Sequence, residues 1–236
     1  MRTFLILGMF TASLASAAWR DYEETRDLTL DAAGIATLVI DAGAGSLDVR
    51  GSADADAISV TALIQVPEKE EKALKIIESD LVLTLERDGE KALLSGYFES
   101  NGWGWGDSPS IRLEVEVPDR LGLDVDDSSG SIVIRDVSGD IDIEDGSGSL
   151  QLSNVGGDVL IEDGSGSVSA EGIGGNFSIT DGSGSITVKD VRGSVVVDDG
   201  SGSINVSDVD ADLIIKEDGS GSLNFARIEG RVEKND

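Results

Sequence analysis

From about residue 123 onward, apolar and polar positions alternate in short blocks that recur every nine residues. Counting the first residue of each block as one, positions six and eight are apolar in nearly every block. Examples are Ile132/Ile134, Ile141/Ile143, Leu150/Leu152, Val159/Ile161, Phe177/Ile179, Ile186/Val188, Val195/Val197, Leu213/Ile215 and Leu223/Phe225. Period-two alternation puts both residues on one face of a strand and the polar residues between them on the other. Two kinds of turn separate the strands. Asp-Gly-Ser-Gly-Ser begins at Asp145, Asp163, Asp181, Asp199 and Asp218, with Asp-Ser-Ser-Gly-Ser at Asp127. The looser turn places Val137, Val155, Ile173, Val191, Val209 and Ile228 at its second position, where a branched side chain plugs a corner.

Copies of the Asp-Gly-Ser-Gly-Ser turn lie 18 residues apart, and 19 apart at the last step. A fixed period with like residues at like positions is the mark of a stacked architecture. The fold class is therefore all-β: a parallel two-faced β-solenoid of 18-residue rungs with an irregular N-terminal cap carrying one short helix. Asp-Gly also favours hairpins, so an antiparallel meander is the rival. It gives little reason for identical residues to recur at identical positions.

Upstream, Ala44–Gly51 reads as an early rung with Leu47 and Val49 inward. Alternation predicts strands over Ala57–Val66, Leu81–Glu86, Lys91–Phe98 and Ile111–Val117. A helix is expected from Pro67 to about Asp80: Pro67 suits its first position, Glu68, Glu70 and Glu71 its positive end, and Leu74, Ile77 and Leu81 form its stripe. It would close the open end of the solenoid. The organisation expected is a signal peptide over 1–17, cap strands and helix over 18–122, and the repeat over 123–236, the last two forming one continuous domain.

The signal reading rests on Arg2, the apolar Phe4–Phe10 and the small-residue site Ala15-Ser16-Ala17, with cleavage after Ala17 or Ala18. That stretch is shorter than the ~20 residues of a spanning helix. The expected location is periplasmic or secreted, without a membrane span. With 18 Lys+Arg against 46 Asp+Glu, the formal charge is −28, a surface that repels nucleic acid and concentrates cations.

Histidine and cysteine are both absent. Ser-His-Asp and Cys-His catalysis, thiolate or His-ligated metal sites and disulfides are thereby excluded. Carboxylates remain, but nearly all belong to the repeat, and no singular cluster breaks it; no catalytic residue is assigned and no cofactor is expected. The nonapeptide calcium roll needs Asp at position six, where this chain has Leu, Ile, Val or Phe, so no specific metal site is predicted.

Two candidate sites follow. Glu144, Asp145, Glu162, Asp163, Asp181, Asp198, Asp199 and Asp218 would align as an acidic edge with weak affinity for divalent cations; the alternative is that each turn Asp only bonds its own backbone. Trp103 and Trp105, in the glycine-rich Asn101–Asp107, form either a platform for a glycan or other flat ligand, or a lid folded over the solenoid end.

The segments Ile40-Asp-Ala-Gly-Ala-Gly-Ser-Leu-Asp-Val-Arg-Gly51 and Ile111-Arg-Leu-Glu-Val-Glu-Val-Pro118, with the Asp-Gly-Ser-Gly-Ser series, resemble the bacterial putative-adhesin β-strand-repeat family. The likeness spans nearly all of the chain after the signal. It implies a β-helical fold at the cell envelope and no catalytic residues. The function expected is thus a non-catalytic, adhesin-like scaffold or binding module whose partner is an envelope protein or glycan. The alternatives are a carboxylate-dependent enzyme acting on polysaccharide and a cation-binding structural protein.

Overall fold

The computed structural model describes residues 22–99 and 108–235. The chain forms β1 (Tyr22–Asp31), β2 (Thr37–Ser52), β3 (Ala57–Val66), α1 (Glu70–Asp80), β4 (Leu81–Asp88), β5 (Lys91–Phe98), β6 (Ser110–Pro118) and β7 (Gly122–Val137). The repeat adds β8 (Ile141–Asp145), β9 (Gly148–Val155), β10 (Val159–Asp163), β11 (Gly166–Ile173), β12 (Phe177–Asp181) and β13 (Gly184–Val191). It ends with β14 (Val195–Asp199), β15 (Ser201–Val209), β16 (Leu213–Glu217), β17 (Ser220–Ile228) and β18 (Val232–Lys234).

The pairing is that of a parallel solenoid. The first half of β7 starts one ladder, continued by β8, β10, β12, β14, β16 and β18; its second half starts the other, continued by β9, β11, β13, β15 and β17. Most steps join residues 18 apart, such as Val168 with Ile186 and Ile161 with Ile179. The rival meander is ruled out by this parallel register. Positions six and eight are buried from Ile132 to Ile215, and Val137, Val155, Ile173, Val191 and Val209 seal one corner. The extra residue of the final unit appears as a register shift after Val197, where Asp198 pairs with Glu217.

The glycine of the tight corner is required by the stacking itself. A Cβ on Gly166 would lie 1.8 Å from the Gly148 carbonyl oxygen, and one on Gly148 1.7 Å from that of Gly130. The looser corner also carries left-handed backbone, at Asp136 (φ 61), Asn154 (φ 56), Gly172 (φ 77), Asp190 (φ 57) and Asp208 (φ 60). Asn, Asp and Gly tolerate this region best. Arg227 takes the same conformation (φ 55) in the last rung, where its guanidinium grips Asp208 one rung below.

β2 is already a complete rung, with Leu38, Ile40, Leu47 and Val49 buried and residues 37–50 in parallel register with β7. On its other side it pairs with β5 and β6, which β4 and β3 extend antiparallel; β1 completes this end. The helix differs from expectation in two ways. It begins at Glu70 because Pro67 and Glu68 turn, the Glu68 amide donating to the Val66 carbonyl at 2.7 Å and leaving Lys69 extended as the N-cap. Its buried residues are Ala73, Ile77 and Asp80, whereas Leu74 is 44% exposed. The small Ala73 lets the helix lie close to the sheet, and the stripe runs through it.

At the other end, Leu223 is only partly buried and Phe225 is 48% exposed, although both occupy inward positions. Among the described residues no further rung covers them.

The register yields a paired test. Ile186→Asp would put an unpaired carboxylate at a fully buried position and should cost several kcal/mol. Thr187→Asp, exposed on the same strand, should melt within a few degrees of the parent. Equal melting temperatures would refute the inward assignment.

Candidate functional site

Along the tight corner the first residue of each turn points inward. Asp127, Asp145, Asp163, Asp181 and Asp199 stack in register, and all are at most 5% exposed. In the last four, Oδ1 accepts the backbone N–H two residues on, from Ser147, Ser165, Ser183 and Ser201, at 2.9–3.1 Å. That bond closes each turn. The other oxygen, Oδ2 in these four and Oδ1 in Asp127, is buried without a hydrogen-bond partner. Below Asp127 the column meets Ala42; above Asp199 it continues to Asp218, which Lys234 engages at 3.0 Å. Among the described residues, the cation that engages the column thus stands at its outer end.

Burial favours the protonated carboxyl throughout. It is the largest influence on Asp127, whose pKa is pushed up to about 7, with the charge of Asp145 adding to it. Asp181 is pushed up to about 6, by burial first and then by Asp163. Asp145, Asp163 and Asp199 are raised for the same leading reason. Among the described residues no three acidic side chains are placed to share a metal ion.

The expected acidic edge is thus divided by the strand. Asp145, Asp163, Asp181 and Asp199 face the interior, whereas Glu144 and Glu162 are exposed and Asp198 is half-exposed. Neighbours in sequence project to opposite sides, as period two requires. The signal for burial was the spacing: the turn Asp stands two residues after the inward position eight. Trp103 and Trp105 lie outside the described residues.

The outer face of the odd-numbered ladder has a different chemistry. Two columns run along it: Ser149, Ser167, Ser185, Ser203 and Ser222, and beside them Gln151, Ser169, Thr187, Asn205 and Asn224. None is charged, and nearly all are exposed. Like groups bond along the stack, Ser222 Oγ to Ser203 Oγ at 3.1 Å and Asn224 Nδ2 to Asn205 Oδ1 at 3.2 Å. One flank carries the ion pair Lys189–Glu171 at 2.7 Å. The opposite face, by contrast, exposes Asp142, Glu144 and Glu162, with Leu160 between them.

Two shallow grooves flank the solenoid. One, of about 560 Å³, follows the left-handed corner past Asn154, Gly172, Asp190 and Arg192; the other, of about 720 Å³, lies against Lys91, Arg120, Asp124 and Leu160. Neither gathers a set of convergent catalytic groups.

No protein-family model matches the chain, and no curated protein does. Among solved structures, a "putative cell adhesion protein" from Clostridium sporogenes is similar at 12% identity and a TM-score of 0.49, over 91% of this chain and 99% of that one. A "putative lipid binding protein" from Parabacteroides distasonis is similar at 20% identity and a TM-score of 0.48, over 91% and 97%. A "putative adhesin" from Bacteroides fragilis aligns at 14% identity and a TM-score of 0.31, over 91% and 97%. What those proteins bind does not carry over at such identities.

The aspartate column gives the fold an unusual pH dependence. Its carboxyls hold protons in the folded chain that they release near pH 3.8 when unfolded, so the folded state binds more protons between about pH 4 and 7. Stability from the column is complete below the unfolded pKa and is lost as pH rises through 6 to 7. Asp208, lowered to about 2 by Arg227, acts in the opposite sense but only below pH 4. The melting temperature should therefore rise from pH 8 to pH 5, even in high salt that screens the surface charge. Asp127→Asn and Asp181→Asn should raise it at pH 8 and flatten the profile. An unchanged slope in these variants would show that the column does not hold the protons.

Proposed function

We propose that this chain is a non-catalytic binding module of the cell envelope, exported by its leader, and that its uncharged solenoid face binds a neutral polysaccharide. The observation that carries this reading is the double column of hydroxyl and amide side chains on a protein of charge −28. Each of these groups both donates and accepts hydrogen bonds, apart from the separate donor and acceptor ends of the amides. They repeat at about 4.8 Å on a flat, rigid surface. A polyhydroxylated chain laid along such a face finds a partner at every rung without ordering loops. The face lacks the aromatic and Arg anchors that concentrate energy in protein interfaces. Carboxylates on the surrounding surfaces disfavour acidic glycans.

The absence of catalysis is supported by where the perturbed carboxyls lie. A general acid with a raised pKa must reach the glycosidic oxygen. Asp127 and Asp181 have raised values but are buried inside the solenoid, and the exposed Glu144 and Glu162 repeat with the scaffold.

The test is binding of the chain to neutral polysaccharides prepared from bacterial envelopes, with Ser169→Glu and Thr187→Glu as probes. Both positions are exposed, so folding should persist while affinity falls roughly tenfold or more as face hydrogen bonds are lost. Binding that survives both changes but vanishes in Trp103→Ala would move the site to the tryptophan segment. Release of reducing ends would replace the reading with an enzyme.

A further inference from the structure

The outward face of the even-numbered ladder is built unlike the serine and amide face. Its middle column reads Leu160, Ser178, Val196 and Ile214 in register. Leu160 is 43% exposed, and Val196 and Ile214 are half-buried although they alternate with the core positions of their strands. The same position of the other ladder holds Ser169, Thr187 and Asn205. An acidic residue closes the apolar stripe at each end: Asp142 pairs with Leu160 and Glu233 with Ile214.

Carboxylates also run along both sides of the stripe. Two residues further along each strand, about 6.6 Å away, Glu144, Glu162 and Asp198 form a column with Thr180. None of these three acids has an ion-pair partner among the described residues. Lys216 is inserted beyond Asp198, at the register shift. Two residues before the stripe, Asp140 and Asp158 begin a second acidic column, the Asp158 amide donating to Asp140 Oδ1 at 2.9 Å.

From this we infer that the even-numbered face is a docking surface for a basic amphipathic helix of a partner protein. The apolar side of that helix lies on the stripe, and its Lys and Arg side chains reach the flanking carboxylates. Backbone chemistry selects a helix over a strand. β10, β12 and β14 are paired on both sides, so an extended chain laid here finds no open edge, whereas a helix satisfies its own N–H and C=O groups. The dimensions agree. The stripe covers three rung steps, about 14 Å, which a helix covers in roughly ten residues. Apolar residues at i, i+3 or i+4, and i+7 line up along it. Long basic side chains cover apolar surface with their stems while their heads reach outward to charge. The sign of the partner follows from the acidic frame, which attracts a cationic helix and repels anionic lipid. A second copy has no such helix to offer: α1 carries Glu70, Glu71 and Glu78, and its Lys72 and Lys75 pair with Glu68 and Glu71. This surface is separate from the serine and amide face and does not depend on the polysaccharide reading.

The probe is a fluorescent peptide of leucine and lysine with helical patterning, about 14 residues or roughly four turns long. A second peptide scrambles the same residues at equal charge. At physiological salt the patterned peptide should bind, gain helical circular dichroism, and hold roughly tenfold tighter than the scramble. Leu160→Ser combined with Val196→Ser leaves net charge unchanged and should weaken binding roughly tenfold. Glu144→Gln combined with Glu162→Gln should weaken it several-fold and flatten its salt dependence. Leu74→Ser, which removes a comparably exposed leucine on α1, should change nothing. The replaced side chains are exposed or half-buried, so melting should stay near that of the parent. Equal affinity for the two peptides, or affinity that survives the paired serine changes, would overturn the inference and reduce the attraction to bulk charge. A dimer of the chain, or binding to phosphatidylcholine vesicles, that the same serine changes abolish would overturn it as well.

Discussion

In a parallel solenoid each backbone step places a residue directly over its counterpart about 4.8 Å below, and the rest of this molecule follows from that stacking. Whatever works at one rung must work against a copy of itself. Branched aliphatic side chains meet this condition by interlocking along the interior. Glycine meets it at the tight corner, where a Cβ on Gly184 would fall 1.7 Å from the Gly166 carbonyl oxygen. Asparagine and aspartate meet it at the looser corner, where Asp158 Oδ1 accepts the Asn176 amide and Asn176 Oδ1 accepts that of Ser194.

The same stacking makes charge the difficult element. An acidic residue repeated in register faces its own charge at every rung, and burial in the interior weakens the screening. The aspartate column keeps one oxygen on a turn amide and is driven toward protonation on the other. Near the end of the rod the carboxylates find cations instead: Asp208, Asp212 and Asp218 each engage a basic residue from the last rung. The serine and amide columns avoid the repulsion by being neutral, whereas Asp126, Glu144 and Glu162 stack on the exposed side, where water screens them. Interior acid, terminal base and uncharged face are three responses to one repulsion.

Function, on this view, resides in what repetition leaves over. A scaffold whose inward positions are committed to packing offers its outward columns for recognition. The outward columns suit a ligand that is itself periodic and hydroxylated.

Much of this was legible in the chain alone. The nine-residue alternation determined the strands, the inward face and the parallel stack, because a strict period leaves each rung only its neighbours to pack against. The strands at Ala57–Val66 and Lys91–Phe98 were likewise readable from their alternation. β1 was not, since its inward positions are Tyr22, Glu24, Arg26, Leu28 and Leu30, with charged residues in the middle, and none of them is fully buried. Nor could the pattern say that Ala73 rather than Leu74 would meet the sheet, because helical spacing allows either and the close approach of the sheet selects the smaller. The spacing put the turn aspartates in phase with the inward face, but only the tertiary structure decided that they are buried there. An Asp that starts a turn bonds the same amide whether its second oxygen meets water or the core, and that depends on where the neighbouring rungs stand. The exposure of Phe225 was equally hidden: Leu223 and Phe225 carry the core pattern, and among the described residues no strand lies over them.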